Sequence, residues 1–193
     1  MGRTVSAKRM LLIETAFALF YCKGVHAVGI NEVLAESGVA KKTLYHHFDS
    51  KDALIAAVVD YRDQRFLSWL ESRFEAVQPG IAKIDALFDA LDDWFNDRVT
   101  DLMPFHGCFF INVSGEFGEP DHPIHQQCAR HKQRVAALIE SQLLLQMSSP
   151  EECREICQTL CLLKEGAITQ AHVQGDRDAA LKAKKAALRL MER

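Results

Sequence analysis

Apolar residues recur at three- and four-residue intervals along almost the whole chain, and no alternating apolar and polar run bounded by turn residues competes with them. That period gathers apolar side chains into one stripe of a helix and would scatter them over both faces of a strand, so the pattern predicts an all-α fold. Over residues 6–23 the stripe is Leu12, Ile13, Ala16, Phe17, Leu19 and Phe20, and Gly24 stands where a glycine ends a helix. Two short helices are predicted over 30–36 and 41–48, on either side of Gly38. Asp49 or Ser50 then caps a much longer fourth helix, which starts at Lys51 and runs through Leu54, Ile55, Val58, Tyr61, Phe66, Trp69 and Phe74 towards Pro79-Gly80.

Past that break, Ile81, Ile84, Leu87, Phe88, Leu91, Trp94 and Phe95 mark a helix with one strongly buried face, ended by a loop around 103–107. A short apolar segment, CFFINVSGEF, precedes the loop GEPDHP, and Pro123 suits the first position of a helix reaching about Met147. Ser149, Pro150 and Glu152 form a capping-box pattern for a helix that extends to about Val173; Gly175 breaks it, and Asp176 caps a last one. The layout predicts a three-helix head over 6–66, fused through the long fourth helix to a helical domain over 67–193, with no flexible linker between them.

Within the head, INEVLAESGVAKKTLYHHFDSKDAL places two short helices around a tight glycine-containing turn, the arrangement of a helix-turn-helix. Leu44 and Phe48, four apart, would anchor the second helix, while Lys41, Lys42, Thr43, Tyr45, His46 and His47 offer ammonium, hydroxyl and imidazole groups on the other side and Lys51 follows at the next helix start. Charge points the same way. Residues 1–50 carry six Lys and Arg against four Asp and Glu, and the remaining chain 17 against 22, a cationic head on an acidic body within a net charge of −3. The predicted partner is double-stranded DNA.

GVAKKTLYHHFDSKDAL, preceded by AFALFYCKGVHAVGINEVLAESG, closely resembles the signature of the TetR (tetracycline repressor) family of bacterial transcription regulators, over roughly residues 6–65. By that resemblance Lys41, Lys42, Thr43 and Tyr45 fall on positions that approach bases or nearby phosphates, and His47 and Lys51 on phosphate contacts. Three positions depart from the family pattern: Gly29 and Ala40 stand where hydroxyl residues usually cap helices two and three, and Leu34 where alanine is usual. An alanine cap costs about 1 kcal/mol relative to serine. The resemblance further implies a repressor that binds a palindromic operator as a homodimer in the cytoplasm and is released by a small-molecule effector. It also implies that the last two helices pair two subunits, with Ile156, Leu160, Leu163, Ala167, Leu181 and Leu188 as the apolar positions available for that contact.

An effector pocket needs apolar walls with a few convergent polar groups. Phe88, Trp94, Phe95, Phe109 and Phe110 are candidates for the walls, and His106, Asn112 and Glu116 for orienting a ligand. Two rival classes compete with this reading. A helical metal-dependent enzyme could use Glu116, His122, His125 and His131, but H-E-x-x-H does not occur and the one E-x-x-H, Glu119 to His122, falls in the GEPDHP loop instead of on a helix face; a protein-binding scaffold would lack sequence-specific DNA retention. The reading is therefore of a non-enzyme without cofactor or metal. Six cysteines at 22, 108, 128, 153, 157 and 161 lie inside helical patterns, as reduced thiols do. Cys153, Cys157 and Cys161, one turn apart, read as packing residues, since their sulfurs spread over about 12 Å along one helix. No apolar run approaches the roughly 18 residues of a membrane span, and MGRTVS meets the loose N-myristoylation pattern at Gly2 and Ser6 with nothing downstream to support an anchor.

Overall fold

The computed structural model describes residues 6–145, 147 and 149–191; Gly2 of the acylation pattern lies outside them. Among the described residues the elements are α1 (Ala7–Lys23), α2 (Ile30–Ser37), α3 (Lys41–His47), α4 (Lys51–Glu75), α5 (Ala82–Phe95), α6 (Phe109–Glu116), α7 (Pro123–Leu144), α8 (Pro150–Val173) and α9 (Ala179–Met191), with no strand. The all-α reading of the hydrophobic period is what the chain adopts.

The chain forms two compact units, one comprising residues up to Gln64 with Phe109–Arg130, the other Arg65–Cys108 with His131 onward. The first is thus not a continuous stretch: α6 and the start of α7 cluster with the head helices. Its core is drawn from all of them, with Leu12, Val25, Val28, Val33, Leu44, Leu54, Ile55 and Val58 each fully buried. Phe109 of α6 stands edge-on to Phe17 and Tyr21 of α1, at centroid distances of 5.3 and 6.2 Å. Arg62 of α4 is buried in the same place, with its guanidinium 5.4 Å from the Phe17 ring and 5.7 Å from the Tyr21 ring.

The second unit is built around aromatic side chains. Trp94 meets Phe66, Trp69, Phe95 and Phe105 within centroid distances of 4.9–6.4 Å, and His131 stands edge-on to Phe66. Helices α5, α8 and α9 pack closely; Lys184 of α9 reaches Asp85 and Asp89 of α5. The Ser149 hydroxyl accepts from the Glu152 amide at 3.3 Å with Pro150 in the first turn, so α8 starts as its sequence dictates. Two helix ends differ from the sequence reading. The α4 helix stops at Glu75, where Lys83 donates to the Phe74 carbonyl at 2.5 Å and satisfies an orphan acceptor of the last turn. The Asp176 carboxylate does not cap α9: it pairs with Lys182 at 2.6 Å, and the helix begins at Ala179.

Candidate DNA interface

Helix α2 ends at Gly38, whose φ of +65° is the left-handed conformation a non-glycine residue adopts at a cost, and whose amide donates to the Leu34 carbonyl at 3.0 Å. The turn is short because Ala40 already accepts from Thr43 and Leu44 as the first carbonyl of α3. Neither Gly29 nor Ala40 supplies a side-chain cap, so both short helices depend on packing, which Val33, Leu44 and Phe48 provide. Arg9 lies over the Phe48 ring at 5.1 Å and covers the end of α3. Ser50 starts α4: its hydroxyl accepts from the Ala53 amide at 3.1 Å.

With Leu44 and Phe48 turned inward, the other side chains of α3 fall on the outside. Lys41, Lys42, Tyr45 and His46 are exposed, and Thr43 and His47 half-buried. The His46 and His47 rings stand 5.2 Å apart. Lys51 is half-buried and reaches the His26 carbonyl at 3.5 Å, which holds its ammonium near the turn between α1 and α2. Six polar side chains on a seven-residue helix thus share one outward surface. A helix of this width matches the major groove, where hydroxyl, ammonium and imidazole groups meet base edges and phosphates.

These features decide the comparison with known proteins. Residues 12–58 match the model of bacterial regulatory proteins of the tetR family, and residues 81–186 that of the LmrA/YxaF-like transcriptional regulator C-terminal domain. The chain belongs to the TetR family. It is therefore a DNA-binding transcription regulator and not an enzyme. An uncharacterized HTH-type transcriptional regulator of Mycobacterium tuberculosis (strain ATCC 25618 / H37Rv), Rv0196, is 24% identical over 174 residues, 87% of this chain and 86% of that one. The HTH-type transcriptional repressor KstR2 of the same strain is 30% identical over 73 residues, 38% of this chain and 34% of that protein. Among solved structures, the TetR-family regulator SCO4454 from Streptomyces coelicolor superposes with a TM-score of 0.82 at 26% identity, covering 94% of both chains.

The body residues singled out in the sequence fall into both units of this TetR-family chain. Phe88, Trp94 and Phe95 are fully or almost fully buried in the second, while His106 is exposed with Nδ1 3.1 Å from the Pro104 carbonyl. Phe109 and Phe110 are buried in the first unit, and Asn112 is half-buried there. Glu116 has a role the sequence did not disclose. Its Oε1 accepts from the Val25 amide at 2.8 Å and its Oε2 from the His26 amide at 2.6 Å, so it ties the end of α6 to the turn between α1 and α2. His26 Nδ1 lies 3.6 Å from the same carboxylate. A contact 90 residues apart in sequence, made to main-chain donors, leaves no compositional trace; the only hint was Gly24, which at φ +90° would carry a Cβ 3.0 Å from Glu116 Oε1.

Among the described residues no helix is long and apolar enough to cross a membrane.

Proposed function

We propose that this regulator is a repressor that binds a palindromic or near-palindromic operator as a two-fold homodimer and is released by a small-molecule effector. The observation that carries the reading is the outward surface of α3, where Lys41, Lys42, Thr43, Tyr45, His46 and His47 cluster over a buried Leu44 and Phe48. One seven-residue helix reads too few base pairs for useful selectivity, which calls for a second head at a spacing of about one helical turn. Residues 6–66 are the DNA-binding domain in this reading, with Lys51 as a phosphate contact, and residues 67–193 take the effector and the partner subunit. The repressor sense is supported by KstR2, a transcriptional repressor 30% identical over 73 residues.

A dimer contact through α8 and α9 has support in exposure. Leu162 and Val173 are each 74% exposed, and Leu181 is exposed on α9. Of the apolar positions read from the sequence, Leu160 and Ala167 are buried within the subunit's own core, so the contact falls to Leu162, Gly166, Thr169 and Val173, a stripe at four- and three-residue spacing. Within the second unit, Phe88, Trp94 and Phe95 are the candidate apolar walls for an effector that is apolar with at least one polar group, and His106 is its candidate polar contact. A regulator of this kind works in the cytoplasm.

Selection of bound fragments from genomic DNA with the purified protein, followed by footprinting, tests the proposal. Enrichment of one inverted repeat, protected on two adjacent major grooves, is the expected result. Retention without any shared sequence would refute it.

A further inference from the structure

The turn between α1 and α2 is held from two sides, and both holds meet at His26. From one side comes Glu116, the last residue of α6, whose carboxylate spans two consecutive amides: Oε1 accepts from Val25 at 2.8 Å and Oε2 from His26 at 2.6 Å. From the other side comes Lys51, the first residue of α4, whose Nζ donates to the His26 carbonyl at 3.5 Å. The His26 ring adds a third contact, 5.0 Å from the ring of Phe117, the residue after Glu116. Gly24 makes room for the carboxylate, since a Cβ there would stand 3.0 Å from Oε1. All of these residues belong to the first unit. By charge alone, an acidic side chain on a DNA-binding head opposes association with a polyanion, so a contribution of Glu116 to binding has to come from what it holds in place.

We propose that Glu116 is a positioning residue for DNA binding: through the His26 main chain it fixes the carbonyl to which the Lys51 ammonium donates, and so aims Lys51 at a phosphate. The proposal rests on the reading of Lys51 as a phosphate contact. An ammonium carries three donors. One directed at the His26 carbonyl leaves two for phosphate oxygens, and it confines a flexible four-carbon stem that would otherwise lose its rotamer freedom only on binding. The carbonyl serves as an anchor only while its own residue stays in place. Val25 and His26 follow the end of α1 at Lys23, and their amides find their acceptors on Glu116 instead of within that helix. Without the carboxylate both amides turn to water, residue 26 is free to rotate, and Lys51 loses its fixed anchor. Charge and position therefore predict opposite signs for Glu116→Ala: removing an anion from the head should tighten DNA binding, and removing the clamp should weaken it.

A double-mutant cycle on the full-length protein tests this, read by fluorescence anisotropy on a random-sequence DNA duplex over a range of salt concentrations, at a temperature where circular dichroism shows each variant fully helical. Lys51→Ala should flatten the slope of log affinity against log salt by about 0.9, the counterion release of one phosphate contact. Glu116→Ala should weaken binding and flatten the slope in the same direction, by up to the amounts lost in Lys51→Ala, and in the Lys51→Ala background it should do neither. Glu116→Gln, uncharged but still holding one acceptor oxygen, should fall between Glu116→Ala and the wild type. Gly24→Ala crowds the carboxylate while keeping its charge; it should flatten the slope as well, and it carries the test if Glu116→Ala does not fold. Tighter binding by Glu116→Ala, or an equal loss with and without Lys51, would overturn the proposal and leave Lys51 as a phosphate contact. An unchanged slope in Lys51→Ala would overturn both the phosphate contact and the proposal. No operator sequence is needed, so the outcome stands apart from the search for an inverted repeat.

Discussion

Replacing Glu116 by alanine removes two hydrogen bonds from a carboxylate to main-chain amides, at 2.8 Å from Val25 and 2.6 Å from His26. A hydrogen bond to a charged group contributes about 1.5–3 kcal/mol when buried, and less where water can substitute. The Val25 amide is part-buried and the His26 amide exposed, so the first counts for about 1.5 kcal/mol and the second for about 0.5–1. The sum, about 2–2.5 kcal/mol, corresponds to a Tm lower by about 4–10 °C in a chain of this length. Glu116→Gln should lose part of this, since its amide nitrogen cannot accept from the second N–H. Differential scanning calorimetry on both variants gives the values. A second substitution isolates the contact: Gly24→Ala adds a Cβ 3.0 Å from Glu116 Oε1 on a backbone at φ +90°. The cost of Gly24→Ala should be smaller in the Glu116→Ala background, because the steric part vanishes and only the backbone strain of about 1–3 kcal/mol remains. An unchanged Tm for Glu116→Ala, or equal costs of Gly24→Ala in the two backgrounds, would refute the tie between α6 and the α1–α2 turn.

Other outcomes follow from the same geometry. Lys51→Ala should weaken operator and random DNA alike and flatten the salt dependence by about one counterion, whereas Lys42→Ala and Tyr45→Ala should lower the ratio of operator to random affinity by about 1–3 kcal/mol for whichever meets a base edge; equal losses on both DNAs, read by fluorescence anisotropy, would make them phosphate contacts. Leu162→Asp and Val173→Asp should each shift the mass seen by light scattering from dimer to monomer while circular dichroism keeps its helical signature, because both side chains are 74% exposed in the single subunit. Burial raises the Glu165 carboxyl, but the charges of Lys164 and Lys132 outweigh it and hold the group below its ordinary value of 4.5. Its contribution is therefore complete above pH 4.5 and lost as pH falls through the depressed value, and Glu165→Gln should reduce the loss of stability between pH 5 and pH 3 in urea titrations.

What was legible in the sequence was what rests on local periodicity. Leu44 and Phe48 were marked as the buried side of α3 by their spacing of four, and Gly38 as the turn by its freedom of φ; the Ser149 and Pro150 start of α8 followed from capping chemistry alone. Side-chain partners across long sequence separations were not legible. Glu116 has the composition of a ligand-orienting group, and nothing near it in the chain announces that Val25 and His26 amides occupy both oxygens. The last turn of α4 was overextended for a similar reason. The apolar stripe itself ends at Phe74 and only the Pro79-Gly80 break points further; the Lys83 contact to the Phe74 carbonyl, made from the next helix, is invisible to a periodicity argument. Asp176 looked like a cap because it follows a glycine, yet its carboxylate is drawn to Lys182 six residues on.

The charge asymmetry of the sequence acquires a physical meaning once pairing is considered. In the second unit acidic groups are matched locally: Asp85 and Asp89 hold Lys184, Asp92 and Asp93 hold Arg98, Asp93 also holds Arg73, and Glu165 holds Lys132 and Lys164. No ion pair among the described residues engages Lys41 or Lys42. A lysine already paired with a carboxylate must break that pair before it can bind a phosphate, and part of the phosphate attraction is consumed in doing so. An unpaired, solvated one releases only condensed counterions, and the entropy of that release drives association. The surplus of two positive charges in residues 1–50 is small, but on α3 it stands unneutralised, next to a helix surface shaped for a groove. In the proposed reading, position and pairing, more than net charge, let a chain at −3 overall bring a cationic face to DNA.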